Sequence, residues 1–331
     1  MGDFATIAKH LWDGTVRDAI YENVAILAWF QEGEKNTVSG QDMKKVRYVD
    51  DMQDLVQPYN DDTIVEAQGA DDKAVATFQW KAARLAVWVT ERQMLLTKNM
   101  MEVSVDFVAD KLKRSVISFK RYLNRRLLGL SGTTTDGSED FQGLRDALTH
   151  DLTYGGTTRA TTGTNPEWQG GSLAGTYADQ ATTYPCSIAT VRDMMDVCNE
   201  FEPDPGDLAL FVGRGPFREL QGQVEGQTTY NPVGKMLKYG FPSFSIEGVE
   251  VVMDYHLAEK YATGASRWAY MLNRASWEFR LHPERNFSVD PFTMQDRQAG
   301  GKAGAMALIK IMGNCTCDNP AGNIWVPKFG S

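Results

Sequence analysis

Residues 102–128, EVSVDFVADKLKRSVISFKRYLNRRLL, decide the fold. The apolar residues Val105, Val108, Leu112, Val116, Phe119, Leu123 and Leu127 recur every three or four positions, which draws one stripe down a helix. No Gly or Pro interrupts the run, so the spacing predicts a single helix of about 25 residues, well above the usual three to four turns. Asp106 and Asp110 stand toward its start and Arg125 and Arg126 at its end, the polarity a helix dipole favours, and Gly129 supplies the stop. Lys111, Lys113, Arg114, Lys120 and Arg121 fall on the faces away from the stripe. The stretch reads as a structural spine with one buried edge.

The chain before the spine changes character twice. Residues 4–31 carry a helical pattern through Ile7, Leu11, Val16, Ile20, Val24, Leu27 and Phe30, which suits either an arm docked elsewhere or a first helix packed on its own domain. Lys44 to Val49 alternates like a strand, and so does a second run in which Ala74, Ala76, Phe78, Trp80 and Ala82 share a face. Leu85, Val87 and Val89 continue the alternation. Between the two strands lies a polar stretch with the pairs Asp50-Asp51, Asp61-Asp62 and Asp71-Asp72. Two strands around such a stretch form a hairpin far longer than an ordinary one, with little core of its own, which needs a neighbour to lie on.

After the spine come Phe141-Gln-Gly143-Leu144 and a Gly- and Thr-rich segment with Tyr154, Gly155, Gly156, Arg159 and Trp168 as an anchor. Ser187 caps a helix that turns Ile188, Val191, Met195, Cys198 and Phe201 to one side. Residues 207–212 read as a buried strand, and Pro216 opens a further helix with Phe217, Leu220 and Val224 inward. Strands follow at 249–253, 268–272, 277–281, 307–312, 315–318 and 324–326. Helices and strands mix without regular βαβ alternation, so the class is α+β.

Composition narrows the function. The 331 residues are 42% hydrophobic and 23% charged, ordinary for a globular protein, with a net charge of −9. An acidic total argues against bulk wrapping of nucleic acid. No run of apolar residues is long enough to span a membrane, and no basic, hydrophobic leader opens the chain, which points to the cytosol. Cys315 and Cys317 have no second pair at ligand spacing, so no zinc site or other cofactor is expected. Acidic pairs with no calcium-loop pattern read as a solvated loop. Nucleophile-elbow and zincin motifs are absent, and His256 and His282 are read as structural, so an enzyme is not expected.

The order of these parts resembles the major capsid proteins of tailed bacteriophages over essentially the whole chain. The resemblance implies an N-terminal arm at 1–36, an extended two-stranded E-loop at 37–85, a peripheral domain with the spine helix at 86–204, an axial domain at 205–299, and closing strands at 300–331 that return to the peripheral domain. It implies hexamers and pentamers tiled into an icosahedral shell around double-stranded DNA, with scaffold, portal and decoration proteins as partners, in a virion assembled in the host cytoplasm. Lys44, Lys45, Arg47, Lys73, Phe78 and Trp80 are then the expected contacts between E-loop and neighbour. In some relatives an E-loop Lys bonds covalently to an Asn of a neighbour; Lys44, Lys45 and Lys73 with Asn314, Asn319 or Asn323 are the candidates, and non-covalent clasping is the expectation. No scaffolding-like segment precedes the arm, which departs from some relatives. An encapsulin-like compartment, a soluble metal-dependent enzyme using the Asp-rich loop with His256 or His282, and a nucleic-acid-binding protein using the basic spine are the alternatives.

Overall fold

The computed structural model describes residues 25–32, 42–48, 73–93, 101–132, 138–150, 152–159, 168–173, 182–199, 207–225, 241–295 and 304–330. The elements in chain order are α1 (Ala25–Glu32), β1 (Met43–Tyr48), β2 (Lys73–Phe78), β3 (Lys81–Thr90), α2 (Met101–Leu127), α3 (Leu144–Leu148), α4 (Ile188–Asn199) and β4 (Leu208–Val212). There follow α5 (Arg214–Glu225), β5 (Ser243–Ile246), β6 (Val249–Met253), β7 (Ala269–Asn273), β8 (Trp277–Leu281), β9 (Ser288–Gln295), β10 (Gly304–Cys317) and β11 (Ile324–Val326).

The five-stranded sheet runs β11-β7-β4-β6-β5, with β4 parallel to β6 across the α5 crossover and the other pairs antiparallel. All five residues of β4 are buried because both faces of the sheet are covered. The two-residue period divides the strand between two cores. Leu208, Leu210 and Val212 join α4 and α5, whereas Ala209 and Phe211 turn to the other side, where Trp29 of α1 meets Phe211 edge-on at 5.6 Å. Residues 25–30 are thus core of their own chain, and residues 1–24 and 33–36 of the expected arm lie outside the described residues.

The second sheet is built on β10, with β3 along one edge and β9 and then β8 along the other, all antiparallel. The spine α2 lies on β3. Leu112, Val116, Phe119, Leu123 and Leu127 are buried, and Phe119 meets Phe287 edge-on at 6.0 Å. Val105 and Val108 fall within the helix, but their side chains lie outside the described residues.

Several expectations are corrected here. The run 74–82 is two strands, because β2 ends at Phe78 to pair with β1 while β3 begins at Lys81 to pair with β10. Conversely, 307–312 and 315–318 are one strand, since β10 has partners along its whole length. The strands at 268–272 and 277–281, consecutive along the chain, do not pair with each other: β7 and β8 belong to different sheets, with a short 3-10 turn between them. In α4 it is Met194 that is fully buried, with Met195 at the core's margin. Lys120 is not on a solvent face of the spine; it is only 6% exposed. The sheets also cross the expected domain limits, for β8 and β9, within 205–299, pair with β10, while β11, within 300–331, pairs with β7. Pairing between distant strands leaves no local mark in composition, so limits drawn along the chain miss it.

Candidate functional site

The structure brings the expected E-loop residues together at the root of a two-stranded ribbon. β1 and β2 pair antiparallel from Met43 opposite Phe78 to Tyr48 opposite Lys73, and the intervening residues 49–72 lie outside the described residues. Alternation gives the ribbon two unlike faces. Met43, Ala76 and Phe78 are buried on one, while Lys44, Val46 and Val75 are exposed on the other. Val46 and Val75 are directly opposite each other and are 53% and 60% exposed, a bare apolar pair at the centre of the outer face. Trp80 stands just beyond the ribbon, edge-on to His282 at 5.6 Å. The side chains of Arg47 and Lys73 lie outside the described residues.

The buried face is seated on the Tyr154-Gly155-Gly156 turn. The Thr77 N–H donates to the Gly155 carbonyl at 2.9 Å, and the Phe78 and Tyr154 rings meet edge-on at 5.0 Å. Gly155 has φ +60°, and a Cβ there would sit 2.9 Å from the Phe78 ring and 3.0 Å from the Ala76 methyl. Only glycine satisfies both constraints.

Arg159 holds that turn from beneath. Its guanidinium is buried and donates to the carbonyls of Leu152 at 2.6 Å and Trp168 at 3.3 Å, and to those of Asp146 and Ala147. Two of these acceptors belong to α3, whose carbonyl dipoles favour a cation there. The guanidinium also lies 5.3 Å from the centre of the Tyr154 ring. Trp168 donates its indole N–H to the Tyr154 carbonyl at 2.9 Å, and the Tyr154 hydroxyl accepts from the Cys317 N–H at 2.9 Å. Gly143 lets the chain pass the end of α2, since a Cβ there would sit 2.3 Å from the Arg126 carbonyl oxygen; Leu144 beside it is fully buried. Gly143, Leu144, Tyr154, Gly155, Arg159 and Trp168 thus form one support between spine, ribbon and β10, and Gly156 finishes the turn at φ +76°.

A charged latch closes the same root. Lys45 Nζ lies 2.9 Å from Glu278 Oε2 on β8 and 3.3 Å from Asp318 Oδ2 just past β10. Arg280 Nε is 2.9 Å from the same Glu278 oxygen, and its Nη1 donates to the Lys44 carbonyl at 3.1 Å. Burial opposes the charge on Lys45, but Asp318 and Glu278 outweigh it and raise its pKa above the usual lysine value. Sequence reading missed Glu278, Arg280 and Asp318. An acid inside the apolar strand Trp277–Leu281 is the signal that pointed to them.

The other candidates are structural. Asn314 is fully buried; its Oδ1 accepts from the Gln142 and Cys315 N–H groups and its Nδ2 donates to Gln79 and Gln142. Asn323 is equally buried, accepting from the Asn273 N–H and the Trp277 indole, both at 2.7 Å, and so pins the crossing from β7 to β8. Neither amide faces a neighbour. Asn319 is part-buried and accepts from Gly322 N–H. Cys315 and Cys317 are two apart on β10 and share its inward face, where burial pushes both thiols up and keeps them protonated. His256 Nδ1 lies 2.7 Å from Asn124 Nδ2, and its backbone N–H donates to Asp254. Among the described residues no group of three His, Cys, Asp or Glu could hold a metal ion, and no helix is long and apolar enough to cross a membrane.

The basic face of the spine is mostly absorbed by its own chain. Lys111 donates to the Trp88 carbonyl and Gln93, Arg125 lies over the Tyr261 ring, and Arg126 pairs with Asp140 at 2.6 Å. Lys113, Arg114 and Arg121 face outward.

A spine over a β10-centred sheet, a separate five-stranded sheet and a two-stranded ribbon seated on the Tyr154-Gly155-Gly156 turn together make a distinctive arrangement. A chain of the cyanophage A-1(L) capsid asymmetric unit superimposes with a TM-score of 0.62 at 11% identity, over 90% of this chain and 91% of that one. This is the tailed-phage capsid fold. A chain of the holo-SrpI encapsulin complex from Synechococcus elongatus PCC 7942 matches with a TM-score of 0.56 at 11% identity, over 91% of this chain and 86% of that one. The native GTA particle capsid matches with a TM-score of 0.51 at 10% identity, over 91% and 89%. No protein-family model and no curated protein matches. The tailed-phage capsid fold is therefore carried at identities where only the arrangement of elements survives.

Proposed function

We propose that this chain is a capsid subunit, the major shell protein of a tailed phage, and that its work is architectural. The observation that supports this most is the ribbon with two unlike faces. Its root is fastened by backbone, aromatic and ionic contacts, while the Val46–Val75 pair on its outer face is left bare. Apolar surface held in place yet uncovered suits contact with a second subunit. The subunits assemble as hexamers and pentamers into an icosahedral shell. Residues 37–85 act as the E-loop clasp, joined by non-covalent contacts through Lys44, Arg47, Lys73 and Trp80, and the shell encloses double-stranded DNA without reading its sequence. Scaffold, portal and decoration proteins complete the particle, which is built in the host cytoplasm.

The peripheral domain is best drawn around β3, β8, β9, β10 and the spine, and the axial domain around β4 to β7. Negative-stain microscopy of the purified protein tests the reading: closed shells, sheets or capsomer rings are expected, and dispersed monomers at high concentration would overturn it. The likeness to an encapsulin chain supports one second reading, a compartment enclosing protein cargo. Nuclease-protected DNA in purified particles separates the phage reading from that one.

A further inference from the structure

The last turns of the spine meet the loop after β6 in a joint whose outer surface is cationic and aromatic. At its base Asn124, fully buried, donates to the Asp254 carboxylate at 3.4 Å, and Asp254 also accepts the His256 N–H at 2.7 Å. The Tyr261 ring packs against the His256 ring at 5.5 Å and carries two cations. The Arg125 guanidinium lies 5.2 Å from its centre and the Lys260 ammonium 5.8 Å. Arg121 is exposed one helical turn before Arg125 on the same face, and Tyr255, next to His256, is 60% exposed. Among the described residues no carboxylate is in ion-pair contact with Arg121, Arg125 or Lys260. Glu259, beside Lys260 in sequence, is turned to the Gly264 N–H at 2.9 Å and the Ser266 hydroxyl at 2.6 Å, with the Arg267 charge nearby.

We propose that Arg121, Arg125, Lys260 and Tyr255 form a contact for the phosphate backbone of double-stranded DNA. The choice of partner rests on the shell reading above, and the patch is where the enclosed DNA touches the wall. Phosphate oxygens accept from guanidinium, ammonium and phenol groups alike, so one kind of ligand group suits all four side chains, and none of these contacts reads a base. Elsewhere the net charge of −9 repels a polyanion, which confines attraction to places where cations stand without acids. Three cations neutralise about three phosphates, a weak contact for one subunit that salt readily screens. Repeated over many subunits, such a contact lines DNA along the wall without immobilising it.

Fluorescence anisotropy of a labelled duplex, titrated with the full-length protein below its assembly concentration at several salt concentrations, tests the proposal. Wild type is expected to bind duplexes of unrelated sequence equally, with log K falling against log salt at a slope of about −2.7. Arg121→Gln and Lys260→Gln are each expected to keep the wild-type melting temperature and to take about one from the magnitude of that slope. Arg121→Glu/Lys260→Glu should bind roughly tenfold more weakly or worse. Tyr255→Phe, which removes only the hydroxyl, should weaken binding about threefold at an unchanged slope. Wild-type affinity and slope in both Gln variants would overturn the proposal, as would a folded wild type with no salt-dependent binding at about 50 mM salt. Either result leaves the shell reading intact if the same protein forms shells. Gln variants that bind DNA like wild type but assemble slowly would overturn it too, and would assign the patch to contact between subunits. A wild type that binds with the expected slope yet never assembles would support the DNA contact and remove the shell reading.

Discussion

β4 and the β1–β2 ribbon are both two-sided, and they treat their second side in opposite ways. Every side chain of β4 is covered, with one half of the strand given to each core. The ribbon covers one face and leaves Val46 and Val75 bare on the other. The first arrangement stabilises the subunit. The second withholds apolar surface from the subunit, at a place where the backbone is fastened by the Tyr154-Gly155-Gly156 turn and the Lys45 latch. A buried strand is explained within one chain, whereas the bare face of the ribbon is what the proposed shell contact would cover.

Breaking the covered side gives the largest effects. Leu112→Asp places a carboxylate in the core under the spine, and loss of the leucine alone costs about 2–5 kcal/mol before the charge is counted. No soluble folded protein is expected, by size-exclusion chromatography of the expressed product. Phe211→Ala empties the site between Trp29 and the sheet, and a destabilisation of about 3–5 kcal/mol is expected in urea unfolding. At the ribbon root, Gly155→Val drives a branched side chain into Phe78 and Ala76 at a positive φ. The subunit should fold, with the amide of Thr77 exchanging its hydrogen much faster and with assembly lost.

Lys45→Met tests the latch and should cost about 1 kcal/mol of global stability, since the group is part-exposed. The sign with pH follows from the raised pKa. The latch's contribution is fully present below the ordinary lysine value of 10.5 and fades as pH rises through the higher folded value. In alkaline titration above that value, wild type should lose this increment and the Met variant should not.

The spine and β4 were legible because their chemistry is periodic: a three-to-four spacing for one, a short apolar run for the other. The Gly and Trp of the 154–168 segment could be singled out, but not what they hold, since Gly155 meets β2 and Arg159 meets α3 only in space. The acid in Trp277–Leu281 was a visible oddity, but its partner was not, with Lys45 and Glu278 more than two hundred residues apart. The basic face of the spine misled in the other direction. Residue type placed Lys120 in solvent, and tertiary packing buried it. Strand pairing across the expected domain limits escaped because hydrophobic alternation says that a residue is covered, not by which sheet.

The smallest effect on folding belongs to the most informative variant. Val46→Ser/Val75→Ser changes two exposed side chains and should leave stability within about 0.5 kcal/mol of wild type. The direct test is sedimentation velocity of this double variant beside wild type at matched concentration, with thermal melting of both. The expected result is a folded protein with a wild-type melting temperature that sediments as unassembled subunits while wild type sediments as shells. A double variant that assembles like wild type would contradict it.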